Sequence, residues 1–107
     1  MQGLRQYNLP YYFYKWNIDR MNVQEVEKFL SRQKLGQGQR VKIAFKKRDA
    51  IFGLFVEGKD YNELKSKNFW RIVTATHIDA WTKSKDINLA KIFSGFEFSN
   101  LTLNDKG

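Results

Sequence analysis

The hydrophobic pattern changes period once along this chain, and the change marks where a helix gives way to strands. Val23, Val26, Phe29 and Leu30 recur at three- and four-residue spacing, with Gln24, Glu27, Lys28 and Arg32 between them. That spacing puts four apolar side chains on one stripe of a helix. Asn22 followed by Glu25 is a capping box: the Asn side chain accepts from an early helix amide and the Glu reaches back. Gly36 is suited to the left-handed stop. The spacing therefore predicts an amphipathic helix over 22–34.

Beyond Gly36-Gln37-Gly38-Gln39 the period becomes two. Val41, Ile43 and Phe45 alternate with Lys42, Ala44 and Lys46, as in a strand with one buried face. Lys47-Arg48-Asp49 supplies a turn, and 51–56 (IFGLFV) reads as the returning strand, with Gly53 a bend or bulge. This second strand is apolar on both faces, so something must cover its outside as well. Residues 57–68 are polar and read as a loop or frayed strand end. The β-branched and aromatic residues of 69–78 predict a third strand, and 79–86 (DAWTKSKD) a turn or an exposed continuation. A tight turn at Ser94-Gly95 then joins a fourth strand at 89–93 to a fifth at 96–103.

At 107 residues, with 42% hydrophobic and 16% aromatic content, the chain supports one core and one domain. The expected organisation is an N-terminal arm over 1–21, a helix-plus-sheet domain over 22–104 and a frayed tail over 105–107. The arm concentrates Tyr11, Tyr12, Phe13, Tyr14 and Trp16 after the single proline, and fits neither period. It is read either as a segment packing its rings on the domain or as an aromatic surface for a partner or for stacked bases. Met21, directly before the helix start, is also a candidate translation start, which would make 1–20 an extension.

The formal net charge is +8, which makes nucleic acid a sensible partner. The excess is diffuse: successive segments of about twenty residues each carry +1 or +2, and Lys46-Lys47-Arg48 is the one true cluster. With no cysteine there can be no disulfide, thiolate zinc site or Cys nucleophile. No stretch nears the ~20 apolar residues of a membrane span, and the N-terminus lacks signal-peptide order. A cytoplasmic protein without membrane contact is the expectation.

The order of one helix and five short strands, with Ile92-Phe93-Ser94-Gly95 followed by Phe98 and Leu101, resembles the Sm-like fold of Sm and Hfq proteins. The likeness spans 22–103 in layout. Ser94 stands where that family commonly has an Arg that helps hold RNA. The family's earlier motif, a Gly followed by Asp and Asn, is approximated by Gly53, Asp60 and Asn62 at a different spacing. The resemblance implies a mainly β fold: an N-terminal helix, then a five-stranded antiparallel, strongly bent small barrel. It also implies RNA binding and homo-oligomers formed by pairing the fourth strand of one copy with the fifth of the next.

For chemistry, His77 and Asp79 would share one face of the third strand, but no nucleophile accompanies them, and no second His completes a metal set. Gly36-Gln37-Gly38 precedes a strand and opens no helix, so it forms no phosphate loop. The expectation is a non-enzymatic module with no cofactor and no metal. Its nucleic-acid contacts would be Lys42, Lys46, Lys47, Arg48, Lys83 and Lys85 for phosphates, with Tyr61 and Trp81 for stacking. Against this stands the plainer reading that these lysines solvate a sheet edge while Trp81 caps the core. The alternative function is a protein-interaction module using the aromatic arm and the helix stripe.

Overall fold

The computed structural model describes residues 21–33 and 39–103; the aromatic arm, Gly36 and the tail lie outside the described residues. Helix α1 (Val23–Gln33) is followed by strands β1 (Val41–Phe45) and β2 (Ile51–Val56). A short helix α2 (Tyr61–Ser66), strand β3 (Phe69–Thr74) and a second short helix α3 (Ile78–Ser84) come next. Strands β4 (Lys91–Ser94) and β5 (Phe98–Leu103) complete the described fold. The five strands form one antiparallel sheet in the order β4-β3-β2-β1-β5.

The helix begins as its sequence dictates. Asn22 Oδ1 accepts from the Glu25 N–H at 2.9 Å, and Glu25 accepts from the Asn22 N–H at 3.0 Å, closing the capping box. Its stripe is used inside the molecule. Val26 is fully buried, and Val23, Phe29 and Leu30 pack beside it on the main core. That core gathers Val41, Ile43 and Phe45 of β1, Trp70 and Ile72 of β3, and Phe98 and Leu101 of β5.

The link between β4 and β5 forces the sheet to curl. These strands are its two opposite edges, yet only three residues, Gly95–Glu97 in a single 3-10 turn, connect them. In a flat sheet four inter-strand steps would hold them about 19 Å apart. The four Cα steps from Ser94 to Phe98 span at most about 14 Å even when fully extended. The sheet therefore rolls toward the face carrying the core. Rings meet across the roll: Phe45 and Phe93 lie 6.0 Å apart between centroids, and Phe55 and Phe98 6.3 Å. A bulge aids the bend, with Ala44 opposite Asn100 and Phe45 opposite Phe98, so that Ser99 is skipped. The sheet nonetheless stays open, because among the described residues β4 and β5 do not pair with one another.

Asn68 fixes the roll. It is fully buried at φ 62°, a left-handed conformation Asn tolerates better than most residues. Its side chain accepts from Trp70 Nε1 at 2.7 Å and donates to the Met21 carbonyl at 3.0 Å. Its own carbonyl accepts from the Gly95 N–H at 2.7 Å, and its N–H donates to the Lys65 carbonyl at 2.9 Å. The start of α1, the end of α2, the start of β3 and the β4–β5 turn thus meet on one residue with its polar groups satisfied. Gly95 is glycine for lack of space: a methyl there would sit 2.7 Å from Asn68 Cγ.

Three local expectations give way. Residues 61–66 are a helix, not loop or strand end: Tyr61, Leu64 and Lys65, at helical spacing, are half-buried while Asn62 and Glu63 face solvent. The third strand stops at Thr74, and Ala75–His77 and α3 follow as helix. In α3 the Ile78 and Trp81 side chains turn inward one turn apart, Thr82 Oγ1 donates back to the Ile78 carbonyl at 2.9 Å, and Lys85 closes the helix at φ 55°. Finally, the 92–101 run bridges the two edges of the sheet; its strands do not lie side by side.

α3 meets the demand for cover outside β2. Ile78 and Trp81 pack on Leu54 and Val73, with Val56 and Ala90 beside them, in a second small core. Gly53 lies in regular β1–β2 pairing without a bulge; a methyl on it would come within 2.6 Å of the Val73 carbonyl oxygen and 2.7 Å of Ile72 Cγ2. Gly53→Ala is therefore expected to lower unfolding stability by about 1–3 kcal/mol, read from denaturant unfolding at unchanged m-value.

Candidate nucleic-acid interface

Strand register sorts the candidate residues. Val41, Ile43 and Phe45 point inward, so Lys42 and Ala44 point outward. Lys42 stands opposite Thr102 of β5 on one side and Phe52 of β2 on the other, which puts Thr102, Lys42 and Phe52 in one row across three strands. Phe52 is 39% exposed, although it lies in an otherwise apolar strand. α3 covers Leu54 and Val73 further along this face but leaves the row open. Ala44 and Asn100 form the next outward pair.

The basic cluster Lys46, Lys47 and Arg48 follows β1 directly and is exposed. The Lys46 N–H donates to the Glu97 carbonyl at 3.2 Å, tying this turn to the β4–β5 link. The Arg48 guanidinium lies 4.9 Å from the Phe45 ring centroid and 5.9 Å from that of Phe93, bridging a ring of β1 and a ring of β4 across the roll. Lys42 and the cluster thus belong to one strand and the turn that follows it.

The remaining candidates lie elsewhere. Tyr61, on α2, packs edge-on against Trp70 at 6.1 Å, and the Lys65 ammonium sits 5.5 Å from its ring. Burial pushes its phenol above the usual value. Trp81 sits on α3, not in a loop, half-buried against the second core, with the Lys85 ammonium 5.5 Å from its ring. Lys83 and Lys85 are exposed at the end of the same helix. His77 and Asp79 do not share a strand face, because β3 has already ended; His77 Nδ1 lies 3.2 Å from Thr76 Oγ1 and 3.4 Å from Thr74 Oγ1.

Ser94, which stands where the resemblance would place a basic residue, acts locally: its hydroxyl accepts from the Phe96 N–H at 3.2 Å and opens the turn. Asp60 likewise serves structure, gripping Arg71 with both carboxylate oxygens at 2.8 and 3.3 Å. Phe52 was the residue hidden from the sequence, where a fully covered strand and a half-covered one read alike. Among the described residues no group of three or more metal-ligating side chains comes together, and no helix is long and apolar enough to cross a membrane. Compared with protein-family models, curated proteins and solved structures, the chain matches none.

The ion pairs set a pH dependence. The hydrogen bond from Arg71 holds the Asp60 carboxyl below its ordinary value of 3.8. A depressed carboxyl stabilises the fold above its unfolded value and loses that contribution as pH falls through the folded one. Stability should therefore drop from about pH 5 downward, and Asp60→Asn should flatten that acid limb while lowering stability at pH 7, as followed by thermal unfolding across pH.

Proposed function

We propose that this chain is a non-enzymatic binding module that holds single-stranded nucleic acid, RNA included, across the outer face of β5, β1 and β2. The observation that carries the reading is the row Thr102, Lys42, Phe52: an exposed ring able to stack on a base, beside an ammonium able to meet a phosphate, on the part of this face that α3 leaves open among the described residues. Lys46, Lys47 and Arg48 extend the positive charge past the end of β1, in a chain of net charge +8. Phe52 replaces Tyr61 and Trp81 as the stacking residue, since those two rings are engaged in packing. The helix stripe is spent in the core, so a docking role for it loses its support.

The Sm-like layout belongs to the same proposal. A capped helix followed by five antiparallel strands, curled by a short turn at Gly95, supports it. Self-association belongs to it too, because β4 and β5 each leave one edge unpaired among the described residues.

The test is binding of a fluorescent single-stranded oligonucleotide across a salt series. The logarithm of affinity should fall with the logarithm of salt by about 0.7 per phosphate neutralised, and Lys42→Gln should reduce that slope by about the same amount. Phe52→Ser should weaken binding by roughly 5- to 150-fold, the loss of one stacked base, with the slope unchanged. Absence of binding at low salt, or a Phe52→Ser protein that binds like the parent, contradicts the proposal. Sedimentation of the same samples reads the mass; a monomer throughout removes self-association and leaves the binding face.

A further inference from the structure

A second exposed patch lies away from the Lys42 row, along the β4 edge. Phe69, Ile92 and Phe96 are 37%, 48% and 46% exposed. Arg71 stands opposite Ile92 and Phe69 opposite Ser94, so Phe69 and Ile92 point outward as diagonal neighbours across the β3–β4 pair. Phe96 follows two residues after Ser94 in the turn that leaves the edge. Three large apolar side chains at one margin of so small a domain call for an occupant.

The chain itself contains a candidate. Met21 is where the described fold begins, and its carbonyl is held by Asn68 Nδ2. Asn68 directly precedes Phe69, and its carbonyl holds the N–H of Gly95, which directly precedes Phe96. Met21, packed on the main core, is thus held at the end of the sheet where β3 begins and β4 ends, within a few residues' reach of the patch. That segment carries Tyr11, Tyr12, Phe13, Tyr14 and Trp16. Trp16 is five residues from Met21 and Tyr11 ten, reaches of up to about 17 and 34 Å, while the four residues of β4 span about 13 Å.

We propose that the aromatic segment 11–16 docks in its own chain on the apolar margin formed by Phe69, Ile92 and Phe96, adding a cover that the described core lacks there. Its rings and the patch are apolar on both sides, and the anchor at Met21 makes the association intramolecular, so little further ordering is needed beyond the segment itself.

Limited proteolysis of the full chain, cutting at Lys15 and the neighbouring aromatic residues and followed by mass spectrometry, tests this. Those sites should be cut at least about tenfold more slowly than in a free peptide of residues 1–20, the protection given by about 1.4 kcal/mol of docking. Replacing both Ile92→Ser and Phe96→Ser, exposed positions whose change leaves the core intact, should bring cleavage to near the peptide's rate. Phe52→Ser, on the open row, should leave protection unchanged. Nuclear Overhauser contacts from the arm rings to the Ile92 methyl groups should appear in the parent protein. Equal cleavage of chain and peptide, or protection untouched by the double substitution, overturns the proposal. Protection that vanishes on dilution from about 100 to about 1 μM overturns it as well, by giving the patch to the arm of a second copy. Nucleic-acid binding is read on a different part of the surface, so either proposal can fail while the other stands.

Discussion

The fold depends on one close approach, that of the buried Asn68 to Gly95. The Asn68 backbone holds the turn that carries the chain from one edge of the sheet to the other, and its side chain holds the indole of Trp70 and the entry to α1. A buried amide is costly unless its donors and acceptors are met, and here they are met by four different segments. The network therefore favours the roll as well as stabilising it, since a β4–β5 turn carried away from Asn68 would take the Gly95 N–H from the buried Asn68 carbonyl.

From that roll the two faces of the sheet acquire different roles. The inner face curls on itself, ring against ring, with the apolar stripe of α1 packed on the same core. Among the described residues the outer face receives one short helix, α3, which covers Leu54 and Val73 with Val56 beside them and stops short of Phe52. What remains outside is a polar and basic strip with one exposed ring on β5, β1 and β2, and an apolar margin at β4. The proposed binding face and the proposed arm site thus both lie where the sheet is left exposed among the described residues.

The sequence made α1 and the β1–β2 hairpin legible because each repeats its period over several residues and is bounded by a cap or a turn: Asn22 and Glu25 for the helix, Lys47 to Asp49 for the hairpin. It concealed α2 and α3, which run less than two turns and signal themselves by only a few inward residues each, Tyr61 and Leu64 in one, Ile78 and Trp81 in the other. Local composition cannot separate such segments from polar loops, since tertiary contacts stabilise them more than propensity does. The candidate lysines were legible as charges. Their grouping was not, because it depends on register: Phe52 becomes part of a surface row only when β2 is set against Lys42 and α3 is seen to stop short. Asn68, in a polar run beside Lys67, gave no sign of being a core residue.

The coupling between Asn68 and Gly95 tests this account most directly, measured as a double-mutant cycle by denaturant unfolding of the parent, Asn68→Gly, Gly95→Ala and the double variant. Asn68→Gly keeps the left-handed backbone accessible while removing the side chain that fills the space above Gly95. If the packing is as described, Gly95→Ala costs at least about 2 kcal/mol in the parent and much less in the Asn68→Gly background, a coupling of about 1–3 kcal/mol. Effects that add to within about 0.5 kcal/mol would contradict it, and with it the claim that this contact holds the sheet in its curl.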